Sequence, residues 1–168
     1  VKAFQIHCRI NKTLLFSFLL TIYALNSMAK VIHLLPKPQY VHSETSTKNF
    51  SLNRKIQVKS VVKCWYLEQF LNNHKVKVDS SSSVCIEVLL VDSIKNTFDY
   101  ELSGYENESY ALKVQANKIT IKVVSQVGVI RAVQTLEQLS EGTPNNLLIE
   151  CVELVDYPAF KLRGFMHD

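Results

Sequence analysis

The sequence predicts an α+β fold, a mainly antiparallel sheet covered by two helices. Three observations predict it. Tyr110–Gln115 and Lys118–Val124 alternate apolar and polar residues on either side of Ala116-Asn117, the pattern of a β-hairpin. Two stretches, Val61–His74 and the one following Ser125, instead repeat their apolar residues at helical spacing. Short β-branched runs fill most of the remainder.

Taken in order, the first element is an export leader. Lys2, Arg9 and Lys12 precede the uncharged run Leu14–Leu25, and Asn26-Ser27-Met28-Ala29 comes next with small residues two apart. A basic start, a dozen apolar residues and a small-residue end form a secretory signal peptide over residues 1–29. The run is shorter than the ~20 residues that cross a bilayer, so no stable membrane span is expected once the leader is removed; the alternative reading is a retained anchor. The protein is therefore expected outside the cytoplasm: periplasmic, at the cell surface or extracellular.

The leader holds three of the 19 basic residues and none of the 15 acidic ones, so the remainder carries a net charge of only +1. That balance leaves no basic stripe for nucleic acid. Apolar residues make up 47% and charged residues 20% of the 168, which is enough for one domain with a real core. Cys64, Cys85 and Cys151 are odd in number and irregular in spacing. They read as free thiols rather than as a zinc site, and at most one internal disulfide could form.

Val31–Leu35 alternates weakly and stops at Pro36-Lys37-Pro38, a short strand entering a turn. Ser43–Lys48 is polar and loop-like. Asn49–Asn53 and Ile56–Val58 read as short edge strands. In the helix over Val61–His74, Val62, Trp65, Tyr66, Gln69 and Phe70 share one stripe, while Leu67 and Leu71 lie on another. A helix apolar on two sides needs burial on two sides, so a second body is expected against it. Ser80–Ser83 is a loop. Val84–Val91, apolar on both faces, reads as an interior strand.

Beyond the hairpin, Ser125 can cap a helix whose stripe is Val129, Ala132, Val133 and Leu136, with Leu139 at its edge. Gly142 and Pro144 are expected to end it. Leu147–Val155 reads as one strand leading to the linker Asp156-Tyr157-Pro158. The chain then closes on a short apolar strand that carries Arg163, which reads as the first strand of a further element and makes the chain a fragment.

Constellations that carry chemistry are sparse. His33, His42, His74 and His167 are scattered, no Gly-rich phosphate loop occurs, and no nucleophile–base arrangement is legible, so neither a metal nor a cofactor is expected. Glu150 and Glu153 are spaced for opposite faces of one strand. Glu106 and Glu108 fall in a loop. Asn49-Phe50-Ser51 and Asn107-Glu108-Ser109 match the N-glycosylation pattern. Arg163, within Phe160-Lys-Leu-Arg-Gly-Phe-Met, requires acceptors. It either pairs with Asp168 or another carboxylate, or offers a fork of donors to ligand hydroxyls or carboxylates.

Four segments in fixed order carry a resemblance. These are Val31-Ile-His-Leu-Leu-Pro-Lys-Pro-Gln39 with Asn49-Phe-Ser-Leu-Asn53; Glu108-Ser-Tyr110-Ala-Leu112; Gly128 with Gln134-Thr135-Leu136 and Gln138-Leu139; and Asp156-Tyr-Pro158-Ala-Phe160 with Arg163-Gly164-Phe-Met-His-Asp168. Together they resemble glycoside hydrolase family 20, the β-N-acetylhexosaminidases, over nearly all of residues 31–168. Ala159 and His167 depart from the family pattern, which has Arg and an apolar residue there.

The resemblance implies a small α+β domain over residues 30–157, succeeded at 158–168 by the first strand of a truncated (β/α)8 barrel. It implies an enzyme that removes terminal N-acetylhexosamine from glycans or chito-oligosaccharides by a retaining, substrate-assisted mechanism. In that mechanism the substrate's own acetamido oxygen attacks the anomeric carbon. Arg163 would bind sugar hydroxyls, and Asp168 would orient the site or pair with Arg163. The family's catalytic Asp-Glu pair has no match among these residues, so the 168-residue chain is expected to be inactive alone. The second body expected against Val61–His74 would be the barrel. The competing expectation is a non-catalytic accessory or carbohydrate-binding module of another secreted glycosidase.

Overall fold

The computed structural model describes residues 33–43, 49–52, 55–94, 107–143 and 146–158. Nine strands and two helices lie among them. They run β1 (Tyr40–Ser43), β2 (Asn49–Ser51), β3 (Gln57–Ser60), α1 (Trp65–Asn73), β4 (Cys85–Leu90), β5 (Tyr110–Gln115), β6 (Lys118–Val123), α2 (Gln126–Leu139), β7 (Ser140–Thr143), β8 (Asn146–Glu150) and β9 (Val152–Asp156).

Six strands form one sheet in the order β1-β9-β5-β6-β4-β3, and β2-β8-β7 form a second. Pairing is antiparallel except where β4 runs parallel to both β3 and β6. Parallel neighbours need a crossover, and α1 supplies the one between β3 and β4. The α+β expectation therefore holds, with a mixed rather than purely antiparallel sheet.

One sheet face forms the core. Leu112 faces Ile121 and Val114 faces Ile119 across the hairpin. Ile86 and Val88 continue these rows on β4, as do Val152 and Leu154 on β9. All eight are buried, and α1 and α2 add Leu67, Phe70, Leu71, Val129, Ala132, Val133 and Leu136 to the same cluster. The opposite face carries Lys113–Glu153 (2.7 Å) and Lys118–Glu87 (2.8 Å) ion pairs, both partly exposed and worth little stability.

Several sequence expectations change in the structure. The described part of the Val31–Leu35 strand, His33–Leu35, is not a strand. The backbone of Leu35 is engaged by a side chain from α2 instead of a neighbouring strand: its N–H donates to Gln138 Oε1 (2.8 Å) and its C=O accepts from Gln138 Nε2 (2.9 Å). Ser43, expected to start a loop, ends β1, which is held by long-range pairing with β9. Helix α1 starts only at Trp65. Before it, the Ser60 hydroxyl donates to Val62 O (2.5 Å) and accepts from Val62 N–H (3.3 Å), so this stretch satisfies its polar groups as a turn.

Helix α2 stops at Leu139, ahead of Gly142. Ser140 Oγ donates to Leu136 O (2.6 Å), and the chain turns directly into the β7–β8 hairpin, where Gly142 adopts φ 116°. The single strand expected over Leu147–Val155 breaks at buried Cys151, with β8 and β9 belonging to different sheets. Glu150 and Glu153 therefore lie on separate sheets instead of opposite faces of one strand. Other expectations stand: the hairpin turns at Ala116-Asn117 with Gln115 opposite Lys118, β2 and β3 lie at sheet edges, and β4 is flanked on both sides.

Candidate functional site

The features richest in chemistry gather along α2. Ser125 occupies the cap, its Oγ accepting from Gly128 N–H (3.4 Å) and donating to Asn107 O. This brings the helix start hard against the segment entering β5. A Cβ on Gly128 would stand 2.7 Å from Ser109 O and 3.2 Å from Val123 Cβ, so only glycine allows that approach. From this anchor, Arg131, Gln134, Thr135 and Gln138 project at i, i+3, i+4 and i+7 along one side of the helix.

Each of these four has its own hydrogen-bonding role. Arg131 Nε donates to Glu108 Oε2 (2.9 Å), and its Nη1 donates to Gln134 Oε1 (3.0 Å). Thr135 Oγ1 and Tyr110 OH share a buried hydrogen bond of 2.5 Å. Gln138 clamps Leu35 as described, and Gln39 N–H reaches Asp156 Oδ1 at 3.4 Å. Burial, with a smaller contribution from the Asp156 carboxylate, pushes the Tyr110 phenol up to about 12, although the Thr135 hydrogen bond and Arg131 act in the opposite direction. Tyr110 is thus a neutral structural hydroxyl throughout the physiological range.

These groups line a cleft of about 830 Å³ whose walls also include Pro36, Tyr66, Tyr157 and Pro158. Tyr66 OH donates to Glu137 Oε2 at 3.4 Å along one rim. The arrangement binds backbone to side chain: Gln138 of α2 holds the Leu35 segment, and Asp156 holds Gln39 N–H. It offers no nucleophile beside a base. Among the described residues no three His, Cys, Asp or Glu side chains gather as a metal site. Also among them, no helix is long and apolar enough to cross a membrane.

Arg163 and Asp168, the residues the sequence marks for sugar binding, lie outside the described residues, as does the leader over residues 1–29. Among the described residues Cys64, Cys85 and Cys151 form no disulfide, and Cys64 and Cys151 are buried. Glu108, a loop carboxylate by sequence, is the partner of Arg131. Residue pattern alone assigns no role to Arg131, Thr135 or Gln138. Their signal is a polar stripe running beside the apolar one on the same helix.

The family model for glycosyl hydrolase family 20, domain 2, matches residues 31–157. The chain belongs to this family. Beta-hexosaminidase subunit A2 of Dictyostelium discoideum is 30% identical over 101 residues, 59% of this chain and 18% of that protein. The chitobiase of Flavobacterium johnsoniae superposes with a TM-score of 0.55 at 27% identity, over 80% of this chain and 22% of its own. The exo β-N-acetylglucosaminidase of Vibrio harveyi, solved with N-acetylglucosamine, gives 0.57 at 23% identity, over 82% of this chain and 21% of its own, a likeness of fold alone. The chain thus spans about a fifth of the length of these relatives. Parts of the segments that carry the resemblance meet in the cleft. The Leu35-Pro36, Glu108/Tyr110, Gln134/Thr135/Gln138 and Asp156–Pro158 segments all line it.

Proposed function

We propose that residues 30–157 are the N-terminal domain of an exported β-N-acetylhexosaminidase, that residues 158–168 begin its catalytic (β/α)8 barrel, and that residues 1–29 are the export signal. The substrates are terminal N-acetylhexosamine residues of glycans or chito-oligosaccharides. Catalysis is retaining and substrate-assisted: the acetamido oxygen attacks the anomeric carbon, a Glu protonates the departing oxygen and a neighbouring Asp steadies the acetamido group. That Asp-Glu pair belongs to a barrel strand past Asp168. Arg163 holds sugar hydroxyls with its planar fork, and Asp168 orients it.

The observation that carries this reading is the convergence of four family segments on one cleft, which Pro158 helps to wall. Two residues ahead of Pro158, Asp156 accepts from Gln39 N–H at 3.4 Å within that cleft. A domain so constructed positions the next body in the chain and leaves the chemistry to it.

The test compares two proteins, the 168-residue chain and the polypeptide encoded by its uninterrupted reading frame. The longer protein is expected to release nitrophenol from 4-nitrophenyl N-acetyl-β-glucosaminide, while the shorter one is inert. Hydrolysis by the 168-residue chain, or a longer protein that binds chito-oligosaccharide without cleaving it, overturns the proposal. The second result would favour an accessory module.

A further inference from the structure

Strand β3 ends the six-stranded sheet, and among the described residues no strand pairs with its outer side. Gln57 N–H donates to Val84 O (2.8 Å) and Val61 N–H to Val88 O (3.4 Å), so the odd positions here face β4. The backbone groups of Val58 and Ser60 alternate with them and point the other way. The start of that outer side is already taken. Ile56 N–H donates to Lys77 O and Asp79 N–H to Ile56 O, both at 2.9 Å, as a parallel bridge to Val78. Past Asp79 the chain turns off, Asp79 Oδ1 accepting from Ser81 N–H (2.9 Å). This chain therefore begins to cover the edge at Ile56 and, among the described residues, leaves Val58 and Ser60 open.

Beside the open stretch runs a groove of about 630 Å³ between β3 and the start of α1. Val58, Leu67 and Leu71 line it, and so do Val61 and Val78, which are 72% and 62% exposed. Within the groove Lys63 and Glu68 offset one another. On the other face of the sheet Lys59 is exposed and forms no ion pair among the described residues. Its register neighbour Glu87 bonds Lys118 instead (2.8 Å).

We propose that the β3 edge is a docking site for an extended segment of another protein, alternately apolar and acidic, added as a strand beside Val58 and Ser60. An incoming strand points successive side chains to opposite faces. Those on the groove side meet valine and leucine, and those on the other side meet Lys59. Backbone hydrogen bonds supply the affinity and the alternation supplies the selectivity. Charge chooses the occupant. Two copies of β3 paired about the middle of the open stretch would set Lys59 against Lys59, which disfavours a second copy of this chain and favours an acidic strand. The body past Pro158 follows from β9, and β5, β6 and β4 lie between β9 and β3.

Fluorescence anisotropy with a labelled short peptide of alternating valine and glutamate tests the proposal, on the 168-residue chain and on the longer protein. Saturable binding is expected in both, with amide hydrogen exchange at Val58 and Ser60 slowed severalfold by the peptide. Lys59→Glu should weaken that binding roughly tenfold and transfer the preference to a peptide of alternating valine and lysine. No binding, or equal binding of the two peptides by the parental protein, overturns the proposal. Slow exchange at Val58 and Ser60 without peptide also overturns it. Slowing that is independent of concentration assigns the edge to a segment of this chain, and slowing that grows with concentration assigns it to a second copy. Binding by the 168-residue chain but not by the longer protein assigns the edge to the body past Pro158 and overturns the proposal equally.

Discussion

At Tyr110 a single hydroxyl joins the first residue of β5 to the middle of α2. Its phenol is raised from 10.0 to about 12 because burial penalises the phenolate. A group whose folded pKa lies above its unfolded one contributes stability that is whole below pH 10 and is lost as pH climbs toward 12. A rise of that size corresponds to about 3 kcal/mol at most. Tyr110→Phe is expected to destabilise the chain by ~1–2 kcal/mol at neutral pH, since it strips the buried Thr135 hydroxyl of its partner. That deficit should shrink between pH 10 and 12, as urea melts of both proteins at about pH 8 and pH 11.5 would reveal; a constant deficit would contradict the burial argument. Gly128 sets a harder limit. Its missing Cβ faces a backbone oxygen at 2.7 Å, which cannot rotate away. Gly128→Ala should therefore cost about 1–3 kcal/mol in the same melts despite alanine's better helix propensity.

At the scale of elements, α1 ends in a Schellman motif. Val76 N–H reaches Leu71 O (2.9 Å) and Lys75 N–H reaches Asn72 O (3.0 Å). The left-handed position, φ 54°, is held by Lys75 where glycine is favoured. Lys75→Gly should raise stability by about 0.5–1 kcal/mol, read as a higher thermal midpoint, because it relieves the Cβ strain. Elements defined by local pattern are legible in the sequence. The hairpin is evident from alternation and a two-residue turn, and α2 from its stripe and Ser125. Elements defined by distant partners are not. β1 exists because β9 pairs with it. The β8–β9 strand breaks at Cys151 because Ile149 is needed opposite Phe50 in one sheet and Val152 opposite Val114 in the other. No local signal marks that break. The cleft is hidden for the same reason: its members are visible as family segments, but their meeting depends on tertiary contact.

At the scale of the whole molecule, the cleft and Arg163 should fail in different ways when altered, and that contrast separates holding from binding. Thr135 and Gln138 bond to other parts of this domain, through Tyr110 and Leu35. In the longer protein, with the hydrolysis proposed for it, Thr135→Val and Gln138→Ala are each expected to cost ~1–2 kcal/mol of stability, seen as a lower melting temperature, while kcat/KM at about 25 °C stays at the parental value. Arg163 has the opposite expectation. If its guanidinium grips sugar hydroxyls, a charged hydrogen bond of about 1.5–3 kcal/mol disappears in Arg163→Ala, and kcat/KM falls by roughly 10- to 150-fold with little change in melting temperature. If Arg163 instead serves as a structural ion pair, the order reverses: melting falls sharply, because an unpaired carboxylate is left behind, and the activity of the folded fraction persists. The two measurements on three variants therefore decide whether the guanidinium beyond Pro158 belongs to the scaffold, as the cleft does, or to the sugar site.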